Sequence, residues 1–337
     1  MEVHKLLTKL IDKKDLTVSE AENLLEGVMD GIITPIQTAA LLTALRMKGE
    51  TQDEIVGFVG TMRKHMITVE ANDIVVDTCG TGGDGKGTLN ISTAAAFVVA
   101  AAGIKVAKHG NRAVTSDCGS ADVMEALGVN INLDSKDAAN ILREVGMVFL
   151  FAPLFHPATK NVVSVRKELK VRTVFNYLGP FVNPCRVKRQ LIGVPERGIA
   201  KTLARAATQL DYDHILIVTS EDGTDEITLS EKSFTIEVKR DHLREFMINP
   251  SQFGFDTHKD QRISGGDAKN NASMLRAVLA GKKGALRDTV VLNTAASLYV
   301  AGKTADIKEG IPLAEESIDN GYAYRVLERL IEVTNDK

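Results

Sequence analysis

The feature that most constrains this chain is a change of hydrophobic periodicity near residue 72. Before it, apolar residues recur at helical spacing. Val3, Leu6, Leu7, Leu10 and Ile11 share one helical face, and Ala21, Leu24, Leu25 and Val28 continue the stripe in a second helix. Each later helix carries its own start signal. Thr17 with Glu20 forms a capping box, Thr34-Pro35-Ile36-Gln37 combines a cap with a proline in the first turn, and Thr51 with Glu54 opens a fourth helix. Gly31 and Gly49 stop the second and third. After residue 72 short apolar runs alternate with helical stretches. Strands are expected at 74–77, 104–107, 147–151, 214–219 and 235–239, the last nearer a sheet edge, with a helix over 92–102. Residues 160–190 are expected to leave the sheet as a helical excursion and return. The pattern predicts a small all-helical block followed by an α/β unit with a largely parallel central sheet.

With 337 residues the chain is long enough for two domains. The helical block is expected over 1–70, as a packing or dimerisation module, and the α/β domain over 71–337. A net charge of −3 with no long basic block, and only 5% aromatic residues, argue against nucleic acid or an anionic membrane as partner. Any anion site must therefore be local. Cys79, Cys118 and Cys185 show no paired spacing, so neither a disulfide framework nor zinc is expected. Cys79 reads as a small buried filler rather than a nucleophile. The amphipathic start lacks the continuous apolar stretch of a signal peptide, and no run of about 20 apolar residues exists to span a membrane. A cytoplasmic protein is expected.

Ligands of open α/β sheets bind at the carboxyl ends of strands, and two loops there have an unusual make-up. The first is Asp77-Thr78-Cys79-Gly80-Thr81-Gly82-Gly83-Asp84-Gly85, followed by Thr88, Asn90, Ile91, Ser92 and Thr93. Its glycines permit positive φ and close backbone approach. Loop amides before a helix N-terminus make an anion nest, and the Ser92 and Thr93 hydroxyls can cap the helix or face phosphate or metal. The pattern is neither the dinucleotide nor the nucleotide-triphosphate fingerprint, and a plain tight turn is the alternative. The second loop, Lys108-His109-Gly110-Asn111-Arg112-Ala113-Val114-Thr115-Ser116 with Ser120 behind it, suits a phosphate and ribose cradle, the alternative being a solvated basic turn. His109 reads as a hydrogen-bonding group, because no nearby Asp or Glu is present to orient it as a base.

Asp225 and Glu226 follow the strand at 214–219. Adjacent carboxylates at a strand exit can hold Mg²⁺, or form an ordinary acidic turn. Arg166 could fork onto a substrate carboxylate, and by composition Lys167 and Arg172 are equal candidates.

The blocks DTCGTGGDG, LNISTAAAF, VAKHGNRAVTSDCGSADVMEALGV, FAPLFHPATK, VRKELKVRTVFNYLGPFVNP and DGTDEI resemble, in order and spacing, those of anthranilate phosphoribosyltransferases, over nearly the whole chain. The resemblance implies a nucleoside phosphorylase-like phosphoribosyltransferase fold, a homodimer through the helical domains, and transfer of phosphoribose from phosphoribosyl pyrophosphate (PRPP) to anthranilate in tryptophan synthesis. It implies PRPP contacts at Gly80, Gly83, Asp84, Thr88, Asn90, Ile91, Ser92, Thr93, Lys108, His109, Gly110, Asn111, Arg112, Ala113, Val114, Thr115, Ser116 and Ser120. Anthranilate would touch Gly80, Asn111 and Arg166, and Ser92, Asp225 and Glu226 would hold Mg²⁺, with two ions per subunit. Thr115, Thr224 and Thr159 stand where serine, leucine and methionine are usual, and none removes an implied ligand. No catalytic acid or base is implied. The nearest rival is a nucleoside phosphorylase of the same fold, against which the GTGGD loop and the acidic pair speak. A nucleic-acid-binding relative is the rival of another class.

Overall fold

A computed structural model describes residues 2–82, 87, 89–113, 118–256 and 263–337. Four helices come first: α1 (Val3–Ile11), α2 (Val18–Met29), α3 (Pro35–Lys48) and α4 (Gln52–His65). Then come β1 (Val75–Gly80), α5 (Ile91–Ala101), β2 (Lys105–Gly110), α6 (Ser120–Ala126), α7 (Ser135–Val145) and β3 (Met147–Phe151). An excursion of α8 (Ala152–Phe155), α9 (Lys160–Leu169) and α10 (Phe175–Leu178) leads back to β4 (Arg189–Gly193), α11 (Arg197–Ala207) and β5 (His214–Ser220). β6 (Ser233–Lys239) and β7 (His242–Ile248) follow, then α12 (Ala268–Leu279), α13 (Ala285–Ala301), α14 (Ile307–Asp319) and α15 (Tyr322–Asn335).

The expected capping boxes all form: Thr17 with Glu20, Thr34 with Gln37 and Thr51 with Glu54 each exchange side-chain and backbone bonds. Pro35 occupies the first turn of α3, where its missing N–H costs nothing. The helical block is not closed on itself. Its core continues through Val162 and Val165 of α9, Tyr177 and Leu178 of α10 and Leu203 of α11, and onto Ile215 and Ile236 on one face of the sheet. Asn161 at the start of α9 donates to the Met29 carbonyl at 2.9 Å, joining the excursion to the end of α2.

The sheet runs β3-β2-β1-β4-β5-β6-β7, parallel from β3 through β5 and antiparallel for β6 and β7. Two strands have no counterpart in the sequence reading: β4, in the middle of the sheet, and β7 at the edge beyond β6. The opposite face is covered by α5, α7, α13 and α15, with α12 and α14 packed behind them. α5 is buried nearly all round, from Ile91 to Val99, because it lies between the sheet and α13 and α15. Among the described residues no helix is long and apolar enough to cross a membrane.

Glu54 is fully buried in the helical block. It accepts from Leu16 N at 2.9 Å and Thr51 N at 2.8 Å, and pairs with the buried Lys48 at 3.0 Å. Glu54→Ala leaves the Leu16 amide and the Lys48 ammonium short of a partner. It is expected to lower stability by about 3 kcal/mol, the lower end for a broken buried pair, since Asp15 still reaches Lys48. The exposed side of the pair, Asp15→Ala, should cost under about 1 kcal/mol. Urea midpoints measure both, and equal shifts would refute the central place given to Glu54.

Candidate active site

The carboxyl ends of β1, β2 and β5 open on one cavity of about 310 Å3. Its wall includes Gly80, Asn90, Ser92, Thr93, Lys108, His109, Gly110, Asn111, Arg112, Ala113, Ser120, Arg166, Asp225 and Glu226, so fourteen of the implied site residues meet in one place. Ile91 does not line it: its side chain is in the core, and its N–H donates to Leu89 O at 2.7 Å. Gly83, Asp84, Thr88, Val114, Thr115 and Ser116 lie outside the described residues. The cavity is also lined by Ala152, Phe175, Asn176, Gly179 and Pro180, to which the sequence reading gave no role. The signal lies in the block VRKELKVRTVFNYLGPFVNP, which contains Phe175 to Pro180 and carries part of the family resemblance.

The acidic pair is the first correction. The acidic-turn alternative puts Asp225 and Glu226 in solvent, but they are 6% and 8% exposed. Asp225 Oδ2 accepts from Gly82 N at 2.7 Å, and Glu226 Oε1 accepts from Ser92 N at 3.0 Å in the first turn of α5. A methyl group at Gly80 would overlap the Asp225 carboxylate, and one at Gly193 would overlap its carbonyl. These two glycines, paired across β1 and β4, are what let Asp225 in. Burial, and next the charge of Asp225, push the Glu226 carboxyl well above its ordinary range.

The second correction concerns the loops. Lys108, His109 and Gly110 are the last residues of β2 rather than a loop, and β1 likewise runs on to Gly80. Lys108 is 1% exposed, and its ammonium donates to Thr78 O at 2.5 Å and Ser92 Oγ at 3.2 Å. The described amides of the glycine loop are already used: Thr81 N donates to Gly193 O and Gly82 N to Asp225. Gly82 does adopt the positive φ, 68°, that the glycine content predicts. Neither Ser92 nor Thr93 caps α5. Asn90 is its first flanking residue, and the buried Thr93 hydroxyl has no partner among the described residues.

Of the three cationic candidates near α9, Arg166 is the one that lines the cavity. Its guanidinium sits 5.5 Å from the centre of the Phe175 ring and makes no ion pair among the described residues. Burial lowers its pKa, the sign of a desolvated cation. Lys167 is exposed, and Arg172 stacks on Tyr177 instead. Arg112 is held by Glu125, with Nη2 2.9 Å from Oε1, and by Asp122. Cys79 is buried and its thiol is pushed well above the ordinary range, so it is no nucleophile. Asp77, under the floor of the site, is raised to about 6 by burial.

Asp225, Glu226 and the Ser92 hydroxyl are hard oxygen donors around one spot. Two carboxylates pressed together out of water, their charge only partly offset by Lys108 and by the Gly82 and Ser92 amides, fit a divalent cation. Among the described residues no group of three His, Cys, Asp or Glu is gathered for a metal.

The chain matches two parts of one glycosyl transferase family, the helical bundle domain over residues 4–66 and the a/b domain over 72–324. An anthranilate phosphoribosyltransferase from Rubrobacter xylanophilus is 48% identical, over 98% of this chain and 97% of its own. One from Chloroflexus aggregans is 45% identical over 99% of both. Among solved structures, the Thermus thermophilus enzyme superposes with a TM-score of 0.91 at 38% identity, covering 98% of this chain and 99% of its own. The Saccharomyces cerevisiae enzyme in complex with PRPP and Mg also gives 0.91, at 29% identity over 99% and 98%. The chain belongs to the anthranilate phosphoribosyltransferase family.

Proposed function

We propose that this chain transfers the phosphoribosyl group of PRPP to the amine of anthranilate, giving N-(5-phosphoribosyl)anthranilate and pyrophosphate in tryptophan biosynthesis, in the cytoplasm. The observation that carries the reading is one cavity with a buried carboxylate pair beside a glycine loop and, against an aromatic ring, an arginine that makes no ion pair among the described residues. The first suits a metal-bound pyrophosphate, the second an aromatic carboxylate. Yeast relatives bound to PRPP with Mg and to 4-fluoroanthranilate support both halves.

In this reading Asp225, Glu226 and Ser92 hold Mg²⁺, with two ions per subunit. Bound there, the metal neutralises charge on the leaving pyrophosphate. The residues of the chain do the rest. Lys108 supplies a fixed positive charge, the β1 and β2 termini cradle the phosphates, and Arg166 anchors the anthranilate carboxylate so that the amine meets the anomeric carbon. Anthranilate consumption, followed by fluorescence, should require both PRPP and Mg²⁺. No consumption refutes the reading, and release of base from a nucleoside plus phosphate would restore the phosphorylase alternative.

The homodimer is part of the same proposal. Ile36 and Met47 are 84% and 80% exposed and, with Ala40 and Thr43, follow helical spacing along the outer face of α3, beside Ile32 at 69%. We place the twofold contact there. Sedimentation should give twice 36.5 kDa, and Ile36→Asp with Met47→Asp should give 36.5 kDa. A wild-type monomer at micromolar concentration would remove the idea.

Arg166→Ala should raise the anthranilate KM by about one to two decades, the cost of a charge-assisted pair, and leave the PRPP KM nearly unchanged. Equal rises in both would assign Arg166 to phosphate or to the packing of α9. Asp225→Asn with Glu226→Gln should stay folded, because the amides keep carbonyl acceptors for Gly82 and Ser92 while losing the mutual repulsion. The Mg²⁺ concentration for half-maximal rate should rise by about two decades, at least the cost of losing an outer-shell partner. An unchanged rate and Mg²⁺ dependence would show the pair to be structural.

A further inference from the structure

We infer that Asn271, on α12 behind the cavity wall, is a positioning residue for PRPP, because it sets which way round the Asn90 carboxamide stands at that wall. The inference rests on PRPP being the substrate of this cavity, and Asn271 acts on it only through Asn90.

Asn271 lies in the first turn of α12 and is 1% exposed. A carboxamide buried that deeply is costly unless its polar atoms are bonded. Its Oδ1 accepts from Gly266 N at 2.7 Å, and its Nδ2 donates to Asn90 Oδ1 at 3.2 Å. Asn90 Nδ2 in turn donates to the Cys118 carbonyl at 3.3 Å. The two ends of this chain of bonds are unambiguous. A backbone N–H only donates and a carbonyl only accepts, so both carboxamides are oriented by their partners. Turning Asn90 over would set nitrogen against nitrogen at Asn271 and oxygen against oxygen at Cys118. Both bonds would then be lost together.

The bonds lead to both loops of the site. Asn90 stands just before α5, lines the cavity and is half-buried. Gly265, one residue before Gly266, donates to Gly87 O at 2.7 Å, so the same turn reaches the glycine loop. Cys118 is followed by Gly119, where a side chain would strike the backbone of Asn111, Arg112 and Ala113. Asp122 fastens that junction, accepting from Ala113 N at 3.0 Å and Gly119 N at 2.9 Å. α12 itself packs against α5 and α6, the helices that follow the two loops. Asn271 thus ties the ends of both loops to a helix that stands outside the site.

The ligand gains a donor that is set in advance. Asn90 gives one Nδ2 hydrogen to Cys118 and keeps the other at the cavity wall. The phosphate oxygens of PRPP accept hydrogen bonds, so a carboxamide that presents nitrogen binds them and one that presents oxygen repels them. A carboxamide without support turns between the two. Here the choice is made before the ligand arrives, which removes part of the ordering cost of binding.

Asn271→Leu removes the bonds and keeps the volume. Calorimetric titration with PRPP and Mg²⁺ should show the Kd raised about tenfold, the upper end for one lost hydrogen bond. At saturating PRPP the kcat and the anthranilate KM should stay within about twofold of wild type, because the lost interaction is one of PRPP binding alone. A double-mutant cycle separates positioning from a general loosening of the fold. With Asn90→Ala already present, Asn271→Leu should weaken PRPP binding by less than about twofold more, since no carboxamide is left to orient. Losses that multiply would overturn the inference, and so would an unchanged Kd in Asn271→Leu. A measurement on the wild type decides if the variant does not fold. Side-chain nitrogen-15 relaxation of the ligand-free protein should show the Asn90 carboxamide as rigid as the backbone of α5, and a freely averaging carboxamide refutes the role. A wild type that binds no PRPP in the same titration would refute the underlying reading instead.

Discussion

The structure turns on bringing two adjacent carboxylates, Asp225 and Glu226, out of water against the ends of β1 and β4. Burying like charges side by side is costly, and the cost is visible in the raised Glu226 carboxyl. Several features make it tolerable. Gly80 and Gly193 leave room for the Asp225 main chain and side chain. The Gly82 amide takes the Asp225 carboxylate. Ser92 N, in the first turn of α5, takes Glu226, so the positive end of that helix faces a negative charge. Lys108 crosses beneath to Thr78 and Ser92. Loop, helix and two central strands are thereby tied to one pair of side chains.

The second half of the cavity comes from the other side of the molecule. Arg166 and Phe175 stand on the excursion between β3 and β4, whose apolar residues share a core with α1 to α4. The helical block therefore does more than offer an outer face. It supports the helix that presents the arginine, and Asn161 fixes the start of that helix to the end of α2. The cavity is thus walled by two unlike halves, one set at strand ends and one set on helices.

Much of this was legible in the sequence wherever the determinant is local. Capping boxes, the proline at the start of α3, and the strands at 147–151 and 214–219 follow from short-range rules, and the structure has them. What escaped is set by tertiary contact. β4, Arg189–Gly193, is five residues long and follows a basic stretch, so its apolar run is too short to stand out. Its place in the middle of the sheet follows from its neighbours rather than its composition. Lys108 and His109 extend β2 although a charged residue and an imidazole usually signal a strand's end, because buried acceptors at Thr78 and Gly179 receive them. Asp225-Glu226 reads as an exposed turn for the same reason, since nothing within ten residues reveals the glycines that admit it.

The charge count around the cavity explains why such a site has to be completed by something other than protein. Asp77, Asp225 and Glu226 are buried beside one buried ammonium, Lys108. If all three ionise, they carry two more negative charges than this ammonium offsets among the described residues, in a region of low dielectric. The raised carboxyls carry the same message. A carboxyl whose folded pKa lies above its unfolded value holds its proton more tightly in the native state. Stability therefore falls as pH rises through that window, from 3.8 to about 6 for Asp77 and upward from 4.5 for Glu226. At neutral pH the pair is a standing destabilisation of the fold, and a ligand that removes it stabilises the native chain by mass action. A cation of charge two meets that deficit without protonating either carboxylate. An arginine or lysine in its place would not, because it would fill the space that a phosphorylated substrate needs and would leave no open coordination for phosphate oxygens.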